Sequence, residues 1–339
     1  MHTPLLRCAE LRTLETHYDN AVPALMERAG RAAAELALRL LKNRRARVLV
    51  LAGPGNNGGD AIVMAHVLKQ QGIDVVAGPG GTVPEGDYGL VVDGLFGIGL
   101  QRPITGAHAD LVARINAFEG PVLALDIPSG LDGDTGRVLG VAVRATHTIS
   151  FIGGKPGLYT LDGPDHCGEV SVVDLGLRLD KFPGALLSVD DFRDCLKPRS
   201  RNSHKGSYGS LALIGGGAGM TGAALLAGRA GLQLGAGRVF VGLLQALAVD
   251  PLQPELMLRT ADDAFAHATT AVVGPGLGAS EAALEIVRRT ASADFPLLLD
   301  ADALNLLAAH PVLAALIARR AAPSLLTPHP AEAARLLAT

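Results

Sequence analysis

Short apolar segments alternate with helical segments along most of the chain, and this alternation constrains the fold more than any other feature of the sequence. A strand that is apolar along its whole length is buried on both faces, which is typical of a parallel sheet covered by helices on both sides. The alternation runs twice, once on each side of a stretch at 178–208 that is rich in charge, Pro, Ser and Gly. The sequence therefore predicts an α/β protein with two domains, at 1–200 and 201–339.

The predicted elements follow from the periodicity of the apolar residues. In the first half, strands are predicted at 47–52, 73–77, 89–93, 121–126, 146–151 and 169–173, and helices at 8–18, 22–41, 60–71 and 108–117. In the second half, strands are predicted at 210–214, 238–242, 271–273, 296–300 and 324–326, and helices at 221–234, 280–290 and onward to about 319. The uncharged stretch 210–228 has the length of a membrane span, but its glycines indicate a strand, a tight loop and a helix.

Composition excludes several classes of protein. A chain of 339 residues with 48% hydrophobic and 19% charged residues is long enough for two buried cores and is not typical of disorder. The net charge of −3 and the lack of a basic stripe argue against nucleic-acid binding. Three cysteines without Cys-x-x-Cys spacing indicate a reducing compartment. We therefore expect a cytoplasmic protein without nucleic-acid or membrane partners, and homo-oligomerisation stays open.

A glycine-rich loop, GPGNNGGD at 53–60, follows the first long predicted strand. It fits the Gly-x-Gly-x-x-Gly pattern, in which glycines and a helix N-terminus approach a dinucleotide phosphate. A dehydrogenase of that type also carries Asp or Glu about 20 residues later to hold the ribose. Here the next strand continues as DVVAGPGG, with no acid at its end. The loop therefore predicts nucleotide binding but does not favour a dehydrogenase.

Two further polar loops follow predicted strands of the same half, DGLFGIGLQRP at 93–103 and DIPSGLD at 126–132. Loops at the carboxyl ends of parallel strands meet at one edge of the sheet. Asn57, Asp93 and Ser129 would then offer oxygen atoms suited to a hard cation. Asp126 is a candidate general base. Either aspartate alone is also explained as a turn residue, but three such loops together favour a functional site.

The motifs GPGNNGGD, VVDGLFGIGLQRPITG and DIPSGLDGDTG, with CAELRTLE and LMERAGRAAAE in the opening helices, resemble the NAD(P)H-hydrate epimerase domain over about residues 1–200. The resemblance implies a Rossmann-like three-layer α/β/α domain that interconverts the R and S forms of hydrated NADH or NADPH.

The same resemblance assigns roles to individual residues. It implies a K⁺ ion on Asn57, Asp93 and Ser129, and proton transfer by Asp126. It implies substrate contacts by Asn56, Asn57, Gly58, Gly59, Asp60, Gly97, Ile98, Gly99, Leu100, Gln101, Arg102, Pro103 and Asp126. Lys155, in FIGGKPGLY, could lie near the site, but we expect an exposed loop lysine.

The second half resembles the ADP- or ATP-dependent NAD(P)H-hydrate dehydratase domain, which has a ribokinase-like fold. RNSHKGSYGSLALIGGGAGMTGAALLAG, GPGLG, LLDADALNLLA and LLTPHPAEAARLL carry this resemblance. It implies that Ala223, Gly276 and His329 border the hydrated nicotinamide, although His329 between two prolines is also explained as a turn residue.

The late Gly-x-Gly-Asp motif of ribokinase-like enzymes does not occur after residue 201. We therefore expect an incomplete ribokinase-like domain, in which ADP or ATP would act only if the domain were complete. The expected activity is that of the epimerase without the dehydratase. The alternatives are an NAD-dependent dehydrogenase, a sugar or vitamin kinase, and a non-catalytic nucleotide-binding or scaffold protein.

Overall fold

The computed structural model of the chain describes residues 3–43, 45–79, 86–179 and 181–338. The chain divides into two compact units, Met1–Leu196 and Lys197–Thr339. Each unit contains its own six-stranded, all-parallel sheet, which confirms the predicted α/β class. The end of the predicted DVVAGPGG stretch, at 80–81, lies outside the described residues.

The first unit follows the predicted alternation of strands and helices. Its strands are β1 (Thr3–Leu5), β2 (Val48–Ala52), β3 (Val75–Pro79), β4 (Leu90–Gly94), β5 (Val122–Leu125), β6 (His147–Phe151), β7 (Glu169–Val173) and β8 (Gly184–Leu186). Its helices are α1 (Cys8–His17), α2 (Leu25–Leu40), α3 (Asn56–Gln70), α4 (Ala107–Asn116) and α5 (Gly163–Cys167). The main sheet has the strand order β3-β2-β4-β5-β6-β7.

Alternate side chains of β2 belong to two different cores. Val48 and Val50 pack in the core that holds residues of α2 and α3. Leu49 and Leu51 pack in the core that holds residues of α4. Successive side chains of a strand point to opposite faces, so helices cover both faces of the sheet. The first unit is therefore a three-layer α/β/α structure.

Two features of the first unit differ from the sequence prediction. Helix α3 begins at Asn56 rather than at residue 60, so the Asn-Asn-Gly-Gly segment forms its first turn instead of a preceding loop. Strand β1 pairs antiparallel with β8, and the chain after it contacts Gly154 through a Leu6 N–H to Gly154 O bond of 2.9 Å. These pairings join segments about 150 to 180 residues apart in the sequence, and local periodicity does not predict such long-range pairs.

The second unit repeats the architecture. Its strands are β9 (Ser210–Gly215), β10 (Arg238–Leu243), β11 (Met257–Arg259), β12 (Thr270–Val273), β13 (Leu297–Leu299) and β14 (Ser324–Leu326). Its helices are α6 (Thr221–Gln233), α7 (Ala261–Ala266), α8 (Glu281–Thr290), α9 (Asp302–Ala309), α10 (Pro311–Ala318) and α11 (Pro330–Leu337). The strand order is β11-β10-β9-β12-β13-β14.

The uncharged stretch at 210–228 is confirmed as a strand, a loop and the start of a helix. Within the described ranges, no helix is both long enough and apolar enough to cross a membrane.

Candidate active site

The predicted site residues of the first unit lie at the carboxyl edge of four adjacent strands. Asn57 follows β2, Asp93 lies near the end of β4, Asp126 follows β5, and Lys155 follows β6. In a parallel sheet these strand ends lie at the same edge, where loops form a binding crevice. The sheet order therefore brings together residues that are far apart in the sequence.

Asn57 has a buried side chain with unused hydrogen-bonding capacity. Among the described residues, neither its Oδ1 nor its Nδ2 has a hydrogen-bond partner. A Cβ atom at Gly97 would lie 3.2 Å from Asn57 Cβ and 3.5 Å from Asp126 Oδ2, so these two side chains flank the Gly97 backbone. Leaving a buried amide without a partner costs about 1–3 kcal/mol. Such a group is consistent with a position that binds a ligand or an ion.

Asp93 and Ser129 form one hydrogen-bonded unit, and both are fully buried. Asp93 accepts from the Ser129 N–H at 2.8 Å, from the Ser129 hydroxyl at 2.6 Å and from the Leu95 N–H at 3.2 Å. Burial raises the pKa of Asp93, and the bonds from Ser129 and Leu95 oppose that rise. A cation beside this carboxylate would favour its charged form.

Asp126 is held in an uncommon backbone conformation. Its φ is +64°, and its N–H donates to Ile149 O at 2.7 Å. Aspartate tolerates this left-handed region better than most residues. The carboxylate is 15% exposed and forms an ion pair with Lys155, whose side chain is 0% exposed. The carboxylate therefore has access to a ligand, whereas the ammonium group does not.

Our expectation that Lys155 is an exposed loop lysine is wrong. After β6 the chain turns at Ile152, which has a φ of +67°, and the Lys155 side chain that follows is fully buried. Its ammonium group donates to Asp126 Oδ1, to Ser150 Oγ at 2.8 Å and to Phe151 O at 3.4 Å. The Gly-Gly-Lys-Pro sequence is typical of a surface turn, and no local sequence pattern predicts these three hydrogen-bond partners of Lys155.

Two further carboxyl groups interact with this ion pair. Burial, then repulsion from Asp126 and Glu15, raises the pKa of Asp60 to about 8, and Lys155 opposes that rise. Burial and repulsion from Asp126 also raise the pKa of Glu15. Sequence reasoning missed Glu15, because on the amphipathic helix α1 it is typical of a solvated face.

The two glycine-containing segments implied to contact the substrate lie beside these groups. A Cβ atom at Gly58 would lie 1.8 Å from Gly53 O, so only glycine permits this approach of helix α3 to the loop. In the second segment, Gly99, Gln101, Arg102 and Pro103 are exposed, and Ile98 O accepts from Arg12 Nη2 of α1 at 3.0 Å. The second segment is therefore open to a ligand at the carboxyl edge of the sheet, whereas in the first only Asn56 is exposed.

The three predicted residues of the second unit lie at the carboxyl edge of its own sheet. A Cβ atom at Gly276, which has a φ of +62°, would lie 3.2 Å from Ala223 Cβ, so these two residues are neighbours. His329 follows β14, two strands from β12. Its Nδ1 accepts from the Ala331 N–H at 3.1 Å at the start of α11, and its Nε2 lies 3.3 Å from Glu332 Oε1. Helix capping therefore explains His329 without a ligand.

Comparison with known proteins matches each unit to its own family model, and the curated relatives span both units. Residues 22–80 and 76–157 match the family described as YjeF-related protein N-terminus, and residues 211–339 match the family described as NAD(P)H-hydrate dehydratase. Among curated relatives, the bifunctional NAD(P)H-hydrate repair enzyme of Coxiella burnetii is 37% identical, over 97% of this chain and 74% of its own length. That of Escherichia coli is 36% identical, over 92% of this chain and 67% of its own.

One solved structure similar to this chain is the ADP/ATP-dependent NAD(P)H-hydrate dehydratase of Bacillus subtilis, at 28% identity and a TM-score of 0.35. The match covers 44% of this chain and 55% of that one.

Proposed function

This chain belongs to the bifunctional NAD(P)H-hydrate repair enzymes, and we propose that its first unit interconverts the R and S epimers of hydrated NADH and NADPH at the edge formed by β2, β4, β5 and β6. The substrate is a small molecule, and members of the family act as isomerase and lyase. The dehydrogenase alternative loses its support, because both curated relatives compared above are repair enzymes. The observation that carries the proposal is the partly exposed Asp126 carboxylate paired with a fully buried lysine.

Epimerisation requires one bond at the hydrated carbon to break and re-form. If the hydroxyl leaves as water, its oxygen must gain a proton, and the returning water must lose one. If the ring opens, the hydroxyl must lose a proton, and the ring nitrogen must gain one. Both routes need one proton acceptor and one proton donor. Asp126 is the group that contacts the substrate, and its carboxylate serves as the acceptor.

Lys155 lets the same carboxyl group act as the donor. A proton that moves from Lys155 Nζ to Asp126 leaves a neutral amine and a carboxylic acid, and the acid can then protonate the substrate. The reverse transfer restores the ion pair. Because Lys155 is fully buried, it acts through Asp126 and is a positioning and proton-storing residue.

The residues proposed to hold K⁺ are Asn57, Asp93 and Ser129. Their donor set, an amide, a carboxylate and a hydroxyl oxygen, fits a hard cation. The support from the structure is the Asn57 Oδ1 that has no hydrogen-bond partner among the described residues, together with the buried Asp93–Ser129 pair at the same edge of the sheet. When bound, the ion would supply positive charge that neutralises Asp93 and attracts the substrate diphosphate. The loops at Asn56–Asp60 and Gly97–Pro103 would orient that substrate.

The proposal is tested by mixing the full chain with purified R-hydrate and following the epimer ratio by chromatography. We expect equilibration of the two epimers by the unmodified chain and none by Asp126→Asn. Asparagine also tolerates a positive φ, so this substitution removes the charge without a new backbone conflict. Equal rates with and without protein would leave the non-catalytic binding alternative.

The second unit is proposed to bind the same hydrated nucleotides near Ala223 and Gly276, with His329 at the same sheet edge. The family of this unit comprises dehydratases that depend on ADP or ATP. The expected loss of the dehydratase activity is not confirmed and stays a prediction, because no comparison measures turnover. Incubating the S-hydrate with ADP or ATP and recording the absorbance of the NADH formed decides it directly: NADH formation by this chain would contradict the expected loss.

A further inference from the structure

We propose that Ser150 is a positioning residue for the epimerase reaction, because its hydroxyl holds the ammonium group of Lys155 against Asp126. This inference rests on the proposed function of the first unit. Ser150 lies on β6, is fully buried and does not border the open part of the site. Its action on the reaction would therefore pass entirely through Lys155.

The hydrogen bonds of Ser150 have only one possible direction. Its hydroxyl donates its single hydrogen to Gly153 O at 2.7 Å. The oxygen can then only accept from Lys155 Nζ, which lies 2.8 Å away. A serine hydroxyl has one donor hydrogen and two acceptor lone pairs, so both contacts are satisfied at once. Ser150 Oγ therefore contacts both the backbone of the turn, at Gly153 O, and the ammonium group of Lys155.

The three N–H groups of Lys155 have three acceptors. Asp126 Oδ1, Ser150 Oγ and Phe151 O surround the nitrogen, and the bond to Phe151 O is long at 3.4 Å. Ser150 is therefore the main neutral partner that sets the direction of the lysine relative to the carboxylate. Misplacing a catalytic group by about 1 Å can lower the rate by about 100-fold. We expect loss of this hydroxyl to lower kcat while KM changes little.

The chain offers a matched control on the same strand. Thr148 is also fully buried on β6, two residues from Ser150 and on the same face, and its hydroxyl donates to Cys167 O at 2.7 Å. Thr148→Val removes a comparable buried hydroxyl–carbonyl bond without touching Lys155. A loss that is only structural would appear in this variant as well.

The test compares two substitutions of nearly equal shape, Ser150→Thr and Ser150→Val, for R-hydrate epimerisation over a range of substrate concentrations. Ser150→Thr keeps the hydroxyl, and we expect kcat within about threefold of that of the unmodified chain. Ser150→Val lacks it, and we expect kcat about 10- to 100-fold lower with KM within about threefold. Thr148→Val is expected to keep the unmodified kcat.

Each outcome has a defined meaning. Equal kcat values for Ser150→Thr and Ser150→Val, or an equal loss in Thr148→Val, would overturn the positioning role. Epimerisation by the unmodified chain with such a result would leave the proposed function standing. No epimerisation by the unmodified chain would instead overturn the proposed function, and the role of Ser150 with it.

Discussion

Asp60→Asn should change how the stability of the first unit depends on pH. The pKa of Asp60 is raised from 3.8 to about 8 by burial and by repulsion from Asp126 and Glu15, with Lys155 opposing. Between these two pH values the folded state therefore binds a proton that the unfolded state has lost. The stability that this proton contributes is fully present below pH 3.8 and is lost as the pH rises through about 8. Asparagine cannot titrate, so the variant lacks this loss.

The size of the effect follows from the two pKa values. Within this range the free energy of unfolding of the unmodified chain falls by about 1.4 kcal/mol per pH unit through Asp60 alone. Between pH 5.5 and pH 8 the stability of Asp60→Asn relative to the unmodified chain should therefore rise by about 3 kcal/mol. The chain has no Trp, and three of its four tyrosines, Tyr18, Tyr88 and Tyr159, lie in the first unit. Urea titrations of the full chain followed by tyrosine fluorescence thus report mainly on this unit.

Glu35→Gln is the matched control, because Glu35 is an exposed carboxyl group on the neighbouring helix α2. Its stability relative to the unmodified chain should stay constant over the same pH range. The raised pKa of Asp60 would be contradicted if the difference in free energy of unfolding between Asp60→Asn and the unmodified chain stayed constant with pH, or if it rose towards acid pH. Either result would mean that burial and repulsion from Asp126 and Glu15 do not raise the pKa of Asp60.

Three further predictions concern the reaction. Lys155→Met keeps the length of the side chain but removes the charge, so kcat for epimerisation should fall by about 100-fold or more while KM changes little; an unchanged kcat would contradict the ion-pair mechanism. Replacing K⁺ by a bulky organic cation should slow the unmodified chain reversibly, whereas Asn57→Leu should be slow in either salt; a rate independent of K⁺ would remove the ion from the site. Gly97→Ala would place a methyl group between Asn57 and Asp126 and should raise KM at least about tenfold, whereas Gly222→Ala, with open space around it, should not.

The sequence predicted the parts of the site that depend on strand order. Asn57, Asp93, Asp126 and Ser129 each follow or end a recognisable apolar strand, and parallel strands bring such positions to one edge. The apolar runs predict the strands of both six-stranded sheets within a few residues, except for β11, whose segment Met257–Arg259 was not predicted as a strand. Helix α3 begins at Asn56, four residues before its predicted start. Glycine is unfavourable inside a helix, so Gly58 and Gly59 indicate a loop. In the structure, however, the close contact with Gly53 O requires glycine at position 58 within the first turn.

The rest of the site depends on contacts that local patterns do not encode. A lysine between glycine and proline is typical of an exposed turn, but Lys155 is buried and donates to Asp126, to Ser150 Oγ and to Phe151 O. Glu15 lies on helix α1 and interacts with Asp126, but its place on the polar face of an amphipathic helix is typical of a solvent-exposed residue. The pairing of β1 with β8 joins segments at opposite ends of the unit, and no periodicity reports it.

That pairing has a consequence for synthesis on the ribosome. Leu6 donates to Gly154 O, next to the lysine of the ion pair, and β1 completes its ladder only with Gly184–Leu186. At about 5–20 residues per second, the nascent N-terminus waits roughly 10 to 30 seconds for these partners to be translated. A fusion tag or early chaperone that captures those first residues would therefore delay completion of the segment that contacts Gly154, even after the six-stranded sheet had assembled.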